Sequence, residues 1–479
     1  MHRKKYIGVR MPRHLVALSA MALSIAIPSM AWGATYTREE AVKIALEKST
    51  DVKAAEEEIV SANSQVDAGY GNALPSIDLS ATVTRIFGLD DVKNKKPVFN
   101  ALNNTVADDG SDPSVYDYAN AGAIDGLIYG MAKQGYRWQS SVGLTATQIL
   151  YAQGKVGTGV EIAKTYKHLK EVNLDNKKAS VRLDVENAFD QLIFFDSSIV
   201  ILETSIEQTQ KHLDFVNQSV ASGIASELDQ VRAQLELDKL KSTLEKNKKD
   251  RILARNKLLS TMGLEWETDV QFQGELRQPS DDLPYPDTAM ANVKKRRKEL
   301  AMLDAQEEMA SKNISIKEGD YKPTLVLIGG VKYTNNKNHF YQWDAPDWDE
   351  NINKYIALNF TMNLFNGMQT KEAVVQAKSS MRSIQIQKES TERGFRMQIE
   401  ACASTLEDAQ NQLEIQKSKV SLAQRNFDLT EASYKIGRST QLDFLDASLE
   451  LRSAKNDYLQ AVVNWNSAYN ALLQATGEY

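Results

Sequence analysis

Residues 220–263 read VASGIASELDQVRAQLELDKLKSTLEKNKKDRILARNKLLSTMG, and residues 434–477 read YKIGRSTQLDFLDASLELRSAKNDYLQAVVNWNSAYNALLQATG. The two stretches align at a constant offset of 214 with no gap. Matched positions include Gly223/Gly437, Leu228/Leu442, Asp229/Asp443, Ala233/Ala447, Leu235/Leu449, Glu236/Glu450, Ala254/Ala468, Leu258/Leu472 and Gly263/Gly477. A solenoid unit has a period of roughly 20–50 residues. This far longer period means two copies of one large module, so each element should occur twice.

Each copy reads as a helix ending in glycine. Leu228, Val231 and Leu235 are spaced three and then four apart, as are Leu442, Leu445 and Leu449. That is the spacing of a coiled-coil seam. Upstream of the first copy, Val156 to about Ala221 holds no proline and only two glycines, Gly157 and Gly159, both in the first turn. At 1.5 Å per residue such a helix runs roughly 100 Å. Ser222-Gly223 ends it, and a partner runs from about Ser226 to Met262, with Gly263 as its terminal cap. The second module repeats this plan as Met368–Ile436 and Thr440–Ala475. With 10 Pro and 24 Gly in 479 residues, few turn formers are available, which favours long helices.

The period changes further upstream. Thr37-Arg38-Glu39-Glu40 is a capping box opening a short helix to about Lys48, and Asp51–Gly71 reads as a second helix. After Pro75, Ile77, Leu79, Ala81 and Val83 alternate with Asp78, Ser80, Thr82 and Thr84, the pattern of a strand with one apolar face. A second strand covers about Tyr136–Leu150. Phe87–Gly135, between them, is rich in Asp, Asn, Lys and Gly. A loop that long is usually functional or mobile. In the second module, helices are expected at Thr288–Arg296 and Glu299–Lys317, a strand after Pro323, and a returning strand over Tyr355–Leu364. Here the offset is 248, mapping Ala62 onto Ala310, Gly71 onto Gly319 and Pro75 onto Pro323. The 34-residue difference lies between the strands, so the first hairpin loop is the longer.

The chain divides into a secretory signal at 1–33, a first structural repeat at 34–263, a linker at 264–286 and a second repeat at 287–479. The signal has a basic start, a short apolar core over Leu15–Ile27 and a small-residue cleavage site at Ala31-x-Gly33. Its core is too short for a membrane anchor, which needs about 20 apolar residues. It carries five Lys/Arg and no acid, so its loss takes the formal charge from −6 to −11. So acidic a chain is a poor nucleic-acid binder. The one cysteine, Cys402, stands where the first copy has Ala188 and reads as a small packed residue.

An exported chain without a transmembrane helix can still span a membrane as a closed β-barrel. Four strands cannot close one, since single-chain barrels start at 8, so several chains would share a wall. A soluble sandwich fits poorly, because the helices are far too long to pack on so small a sheet.

The chain resembles the outer-membrane efflux protein family, the TolC-like channel subunits. The resemblance rests on Gly223…Leu228-Asp229 and Gly437…Leu442-Asp443, each followed by a helix rich in leucine and alanine that ends in glycine. Ala73-Leu74-Pro75 and Leu364-Phe365-Asn366-Gly367 add to it. It implies a mixed, mostly α fold. Long antiparallel coiled-coil hairpins would form an α-barrel, and four strands per chain would enter a trimeric, 12-stranded outer-membrane β-barrel. It further implies a homotrimer in the outer membrane of a Gram-negative bacterium, extending into the periplasm. That trimer would be a passive exit duct for efflux or type I secretion, in contact with outer-membrane lipid, and would dock a periplasmic adaptor and an inner-membrane pump. Docking falls at the tips, Gly223, Ile224 and Ala225, and Gly437, Arg438 and Ser439. A periplasmic gate falls on the second tip, at Asp443 and Asp446 with Tyr434. Three copies would ring a narrow axis with six carboxylates, which concentrate cations. The family's latch arginine lies two residues after the glycine. Here that position is Ser439, and Arg438 precedes it. Only the second tip carries this set, since Arg232 stands where the other has Asp446.

Other chemistry is not supported. Gly154–Gly159 is superficially similar to a phosphate loop but lacks the G-x4-G-K-[ST] spacing. The histidines lack metal-ligand spacing, and no nucleophile–base set emerges. No enzyme activity, cofactor, metal or nucleic-acid partner is therefore expected. Phe340, Tyr341, Trp343 and Trp348 crowd the second loop, as an interfacial belt or as packing within the loop. The competing reading is a structural periplasmic coiled-coil protein or adhesin without a pore. It leaves unexplained why strands interrupt both helix pairs at the same place.

Overall fold

A computed structural model describes residues 34–85, 87, 137–266, 268–279, 286–337 and 351–479. The expected signal, almost all of the Phe87–Gly135 loop and the aromatic residues of the second loop lie outside the described residues.

Among the described residues the order is β1 (Ala34–Tyr36), α1 (Arg38–Lys48), α2 (Thr50–Gly71), β2 (Ser76–Arg85) and β3 (Trp138–Tyr151). There follow α3 (Lys155–Ala221), α4 (Glu227–Thr261) and β4 (Val270–Phe272). The second half holds α5 (Met290–Arg296), α6 (Lys298–Gly319), β5 (Thr324–Lys337), β6 (Ile352–Thr361), α7 (Gln369–Lys435) and α8 (Gln441–Thr476). The duplication is visible element by element. The two long helices, α3 and α7, have 67 residues each.

Four strands form one antiparallel sheet in the order β2-β3-β5-β6. Register pairs Leu79 with Leu144, Leu144 with Val331, and Leu327 with Leu358. These residues, with Ile77, Val142, Ile356 and Phe360, line one face, and that face is exposed in the single chain. The other face carries Asp78, Ser80, Thr145, Lys332 and Asn353. Among the described residues, β2 and β6 each have a partner on one side only. β5 runs to Lys337 and β6 starts at Ile352, so polar residues extend both strands into the expected loop.

Sheet and helices meet at two matched corners. Gln153-Gly154 joins β3 to α3, and Gly367-Met368 joins β6 to α7; all four residues have positive φ. Gln153 is held there by its side-chain amide, which donates to the Thr324 hydroxyl at 2.9 Å.

The helices lie side by side in the order α2-α3-α6-α7 next to the sheet. Further from it, α8 packs between α3 and α7, and α4 packs on the far side of α3. A shared core occupies the middle of the molecule. Phe189, Leu192, Leu258, Leu259, Val462, Trp465 and Leu472 from both modules meet there, with Cys402 packed at its margin. The described residues of the expected linker pack against the rest of the chain. Val270, Phe272 and Leu276 are buried in that core, and β4 pairs in parallel with β1, Ala34 opposite Val270. Three-residue strands carry no readable period, so the sequence pattern shows neither.

Beyond the shared core each hairpin has its own seam. Leu213, Ala233 and Leu237 join α3 to α4. Ala423, Phe427, Phe444, Ala447, Leu451 and Ala454 join α7 to α8.

Candidate periplasmic gate and hairpin tips

Both hairpins turn by the same chemistry. At the first tip Ile224 N donates to the Ser219 carbonyl at 2.8 Å and Gly223 N to the Val220 carbonyl at 2.9 Å. At the second, Arg438 N reaches the Ser433 carbonyl and Gly437 N the Tyr434 carbonyl, both at 2.9 Å. This glycine-terminated pattern satisfies the last helical carbonyls. It needs a left-handed residue, and Gly223 and Gly437 have φ of 73° and 74°. The expected docking residues therefore do sit at the hairpin ends. Ile224 and Arg438 are exposed, and Ala225 and Ser439 are half-buried.

The next helix starts with a capping box at each tip. Asp229 is paired with Ser226, and Asp443 with Thr440. The Asp443 carboxylate accepts from Thr440 N at 2.8 Å and from its hydroxyl at 2.7 Å. The Thr440 hydroxyl and backbone bonds hold the Asp443 carboxyl below its ordinary range. The Ser226 hydroxyl does the same to Asp229. The repeat match Asp229/Asp443 thus has a local cause at both ends. Asp446, one turn beyond Asp443 and equally exposed, is the acid that the first tip lacks.

Tyr434 joins an aromatic cluster that the sequence reading missed. Its ring stacks on Phe444 at 5.6 Å and lies 5.3 Å from His212 and 6.1 Å from Phe215. His212 stacks on Phe444 at 4.3 Å. The cluster joins α3 to α7 and α8, so it bridges the two hairpins. Burial, then the nearby Asp229 charge, raises the Tyr434 phenol. Burial alone lowers His212 to about 4. A signal was present in the repeat: Phe444 replaces Gln230 and Tyr434 replaces Val220 at matched positions.

Polar links also bridge the hairpins. Gln441 donates its side-chain amide to the Asp229 carbonyl at 2.8 Å. Both terminal nitrogens of Arg452 donate to Glu236 Oε1 at 3.1 Å. Nearer the shared core, the Ser198 hydroxyl bonds to Asn456 at 2.9 Å. Among the described residues no group of three His, Cys, Asp or Glu is placed to hold a metal. No described helix is long and apolar enough to cross a membrane.

The family model described as outer membrane efflux protein matches residues 41–264 and 290–478, the bulk of both repeats. The chain belongs to the outer membrane efflux protein family. Membership places it at the Gram-negative outer membrane, with its helices reaching into the periplasm. The family is one of channels, not of enzymes. The Outer membrane protein TolC of Salmonella enteritidis is 22% identical over 342 residues, which is 66% of this chain and 65% of that protein. The match thus spans just under two-thirds of the relative's length. The fold is similar to that of CusC, with a TM-score of 0.69, 14% identity and 93% of each chain covered. It is equally similar to the open Neisseria gonorrhoeae MtrE outer membrane channel, with a TM-score of 0.69, 17% identity, and 92% of this chain and 88% of that one covered.

Proposed function

We propose that three copies of this chain close into one exit duct across the outer membrane and periplasm. The observation that carries this reading is that one chain leaves both of its arcs open. In the sheet, β2 and β6 each present an edge unpaired among the described residues. In lipid an unmet backbone group costs several kcal/mol, so β6 of one copy meets β2 of the next. In the helical arc the outer helices carry exposed apolar stripes in their tip halves. Leu228, Val231 and Leu235 lie on α4, and Ile415, Leu422 and Leu429 recur every seven residues on α7. Side by side these stripes form the missing coiled-coil seam between copies. Three copies, the number the family resemblance implies, give twelve strands with the apolar face toward lipid and the polar face lining the pore.

The 34–263 and 287–479 repeats then act as structural halves joined by the 264–286 segment. The tips at Gly223–Ala225 and Gly437–Ser439 receive a periplasmic adaptor, with Ile224 and Ile436 as exposed apolar pads. Energy comes from an inner-membrane pump, and the duct itself is passive. Asp446, with Asp443 and Tyr434, forms the narrow end, where rings of carboxylates favour cations. A pore-free periplasmic rod or adhesin would have no use for a sheet with an exposed apolar face.

Planar-bilayer recording tests the reading. The purified protein should conduct and prefer cations. Asp446→Ala should lower that preference and leave thermal stability unchanged, whereas Asp443→Ala should lower both, because it also removes a cap. Absence of conductance would sink the duct, and an unchanged reversal potential in Asp446→Ala would sink the gate assignment.

A further inference from the structure

The apolar face of the sheet carries charge of one sign, and only at one end. The charged residues of the four strands are Asp78, Arg85, Lys332, Lys337 and Lys354. Register puts Asp78 and Lys332 on the polar face. Arg85 and Lys337 share a row with Trp138, and Lys354 shares one with Val331 and Leu144. These three cations therefore stand on the apolar face, toward the loop end of their strands. The helical end of that face, at Ile77, Tyr151, Leu325 and Phe360, has no charged strand residue among the described residues. The chain as a whole is acidic, with a formal charge of −6, so this rim runs against its overall sign. Arg85 and Lys354 are both exposed.

We propose that Lys354 of one copy and Arg85 of the next form a site for a phosphate of the phosphorylated glycolipid in the cell-surface leaflet, at each junction between copies. The proposal rests on the duct reading, in which β6 meets β2 of the next copy. Both strands have 10 residues. They run antiparallel, because each step in the order β2-β3-β5-β6 reverses direction. Pairing along their full length sets Ser76 against Thr361 and Arg85 against Ile352. A slip by one residue would turn one strand's apolar face to the pore. Lys354 is then the diagonal neighbour of Arg85 on the same face, at roughly 7–8 Å. One phosphate spans two such side chains through charge-assisted hydrogen bonds. The Arg85 guanidinium already lies over the Phe87 and Trp138 rings, 4.5 and 5.3 Å from their centroids. Stacking of this kind leaves its edge free to donate. Beside Lys354 lies an open apolar hollow of about 690 Å³. Its floor is the direct pair Ala146–Gly329, between Ile77 and Ile356. An acyl chain fits there with its phosphate on the two cations. The helices mark the periplasmic side, so this loop end meets the outer leaflet.

The test is native mass spectrometry and thermal melting of the purified oligomer in detergent. The probes are diphosphorylated lipid A, the same lipid without phosphates, and phosphatidylglycerol. Diphosphorylated lipid A should stay bound and raise the temperature at which the copies separate, and the dephosphorylated form should do neither. Arg85→Gln and Lys354→Gln should each weaken its binding about tenfold, the loss of one charge-assisted bond. Lys332→Gln, on the pore face, should leave it unchanged, and the charge-conserving Lys354→Arg should keep most of it. Lipid A held as tightly by both Arg85→Gln and Lys354→Gln as by the unmodified protein overturns the site. Phosphatidylglycerol held as tightly as lipid A overturns the glycolipid assignment. An unmodified protein that forms pores in planar bilayers but retains no lipid A overturns the site while the duct stands, and one that forms no pores overturns both.

Discussion

The imidazole of His212 lies flat against Phe444 and beside Tyr434, 7% exposed, and its Nε2 has no protein hydrogen-bond partner. Burial lowers it from 6.5 to about 4, so the fold holds it neutral. A depressed histidine contributes stability that is fully present above pH 6.5 and is lost as pH falls toward 4. The full shift corresponds to about 3 kcal/mol per protomer as an upper bound. The oligomer should therefore melt at a lower temperature at pH 4.5 than at pH 7.5. His212→Phe, which keeps an aromatic ring in the stack, should remove most of that difference; an equal drop in the variant would contradict it. At this scale the internal repeat marks Asp443 and the tip glycines, and the family resemblance marks Tyr434. Sequence reading missed His212, since a lone histidine has no motif and its meaning comes from rings contributed by two other helices. It also read Asp443 only as a gate acid, although Thr440 three residues earlier already made it a cap.

Elements were legible wherever a start or stop signal was local. The capping box at Thr37/Glu40 opens α1, and the same device at Ser226/Asp229 and Thr440/Asp443, not read as a cap from the sequence, opens α4 and α8. Alternation after Pro75 and Pro323 opens β2 and β5. β1 and β4 were not legible, because they exist only by pairing across more than 200 residues of chain. The same distinction separates two kinds of glycine. Gly223 has φ of 73° and open space where a Cβ would stand. Gly263 has φ of 71°, and a Cβ there would collide with the Lys48 carbonyl and come within 3.1 Å of the Ser49 Cα. Gly223→Ala should cost only the left-handed strain, about 1 kcal/mol. Gly263→Ala adds a backbone clash at the junction of α1 and α2 and should cost at least twice as much. Chemical denaturation of the two variants checks the order, and equal losses would contradict it.

On the scale of the whole molecule the proposed duct makes the chain a segment of a wall. The repeat and its change of offset, both visible in the sequence, already divide it into two helical hairpins and two strand pairs. The order of those elements around the arc was not visible, because it depends on α8 packing against α3 across modules. That order puts α4 and α7 at the edges, and in the proposed trimer their apolar stripes are covered by a neighbouring copy. The direct measurement is the native mass of the complex extracted from the outer membrane, with Leu422→Glu/Leu429→Glu as its counterpart. The account predicts three copies for the unmodified chain and a monomer for the variant. A monomeric unmodified chain, or a variant that still forms trimers, would contradict it.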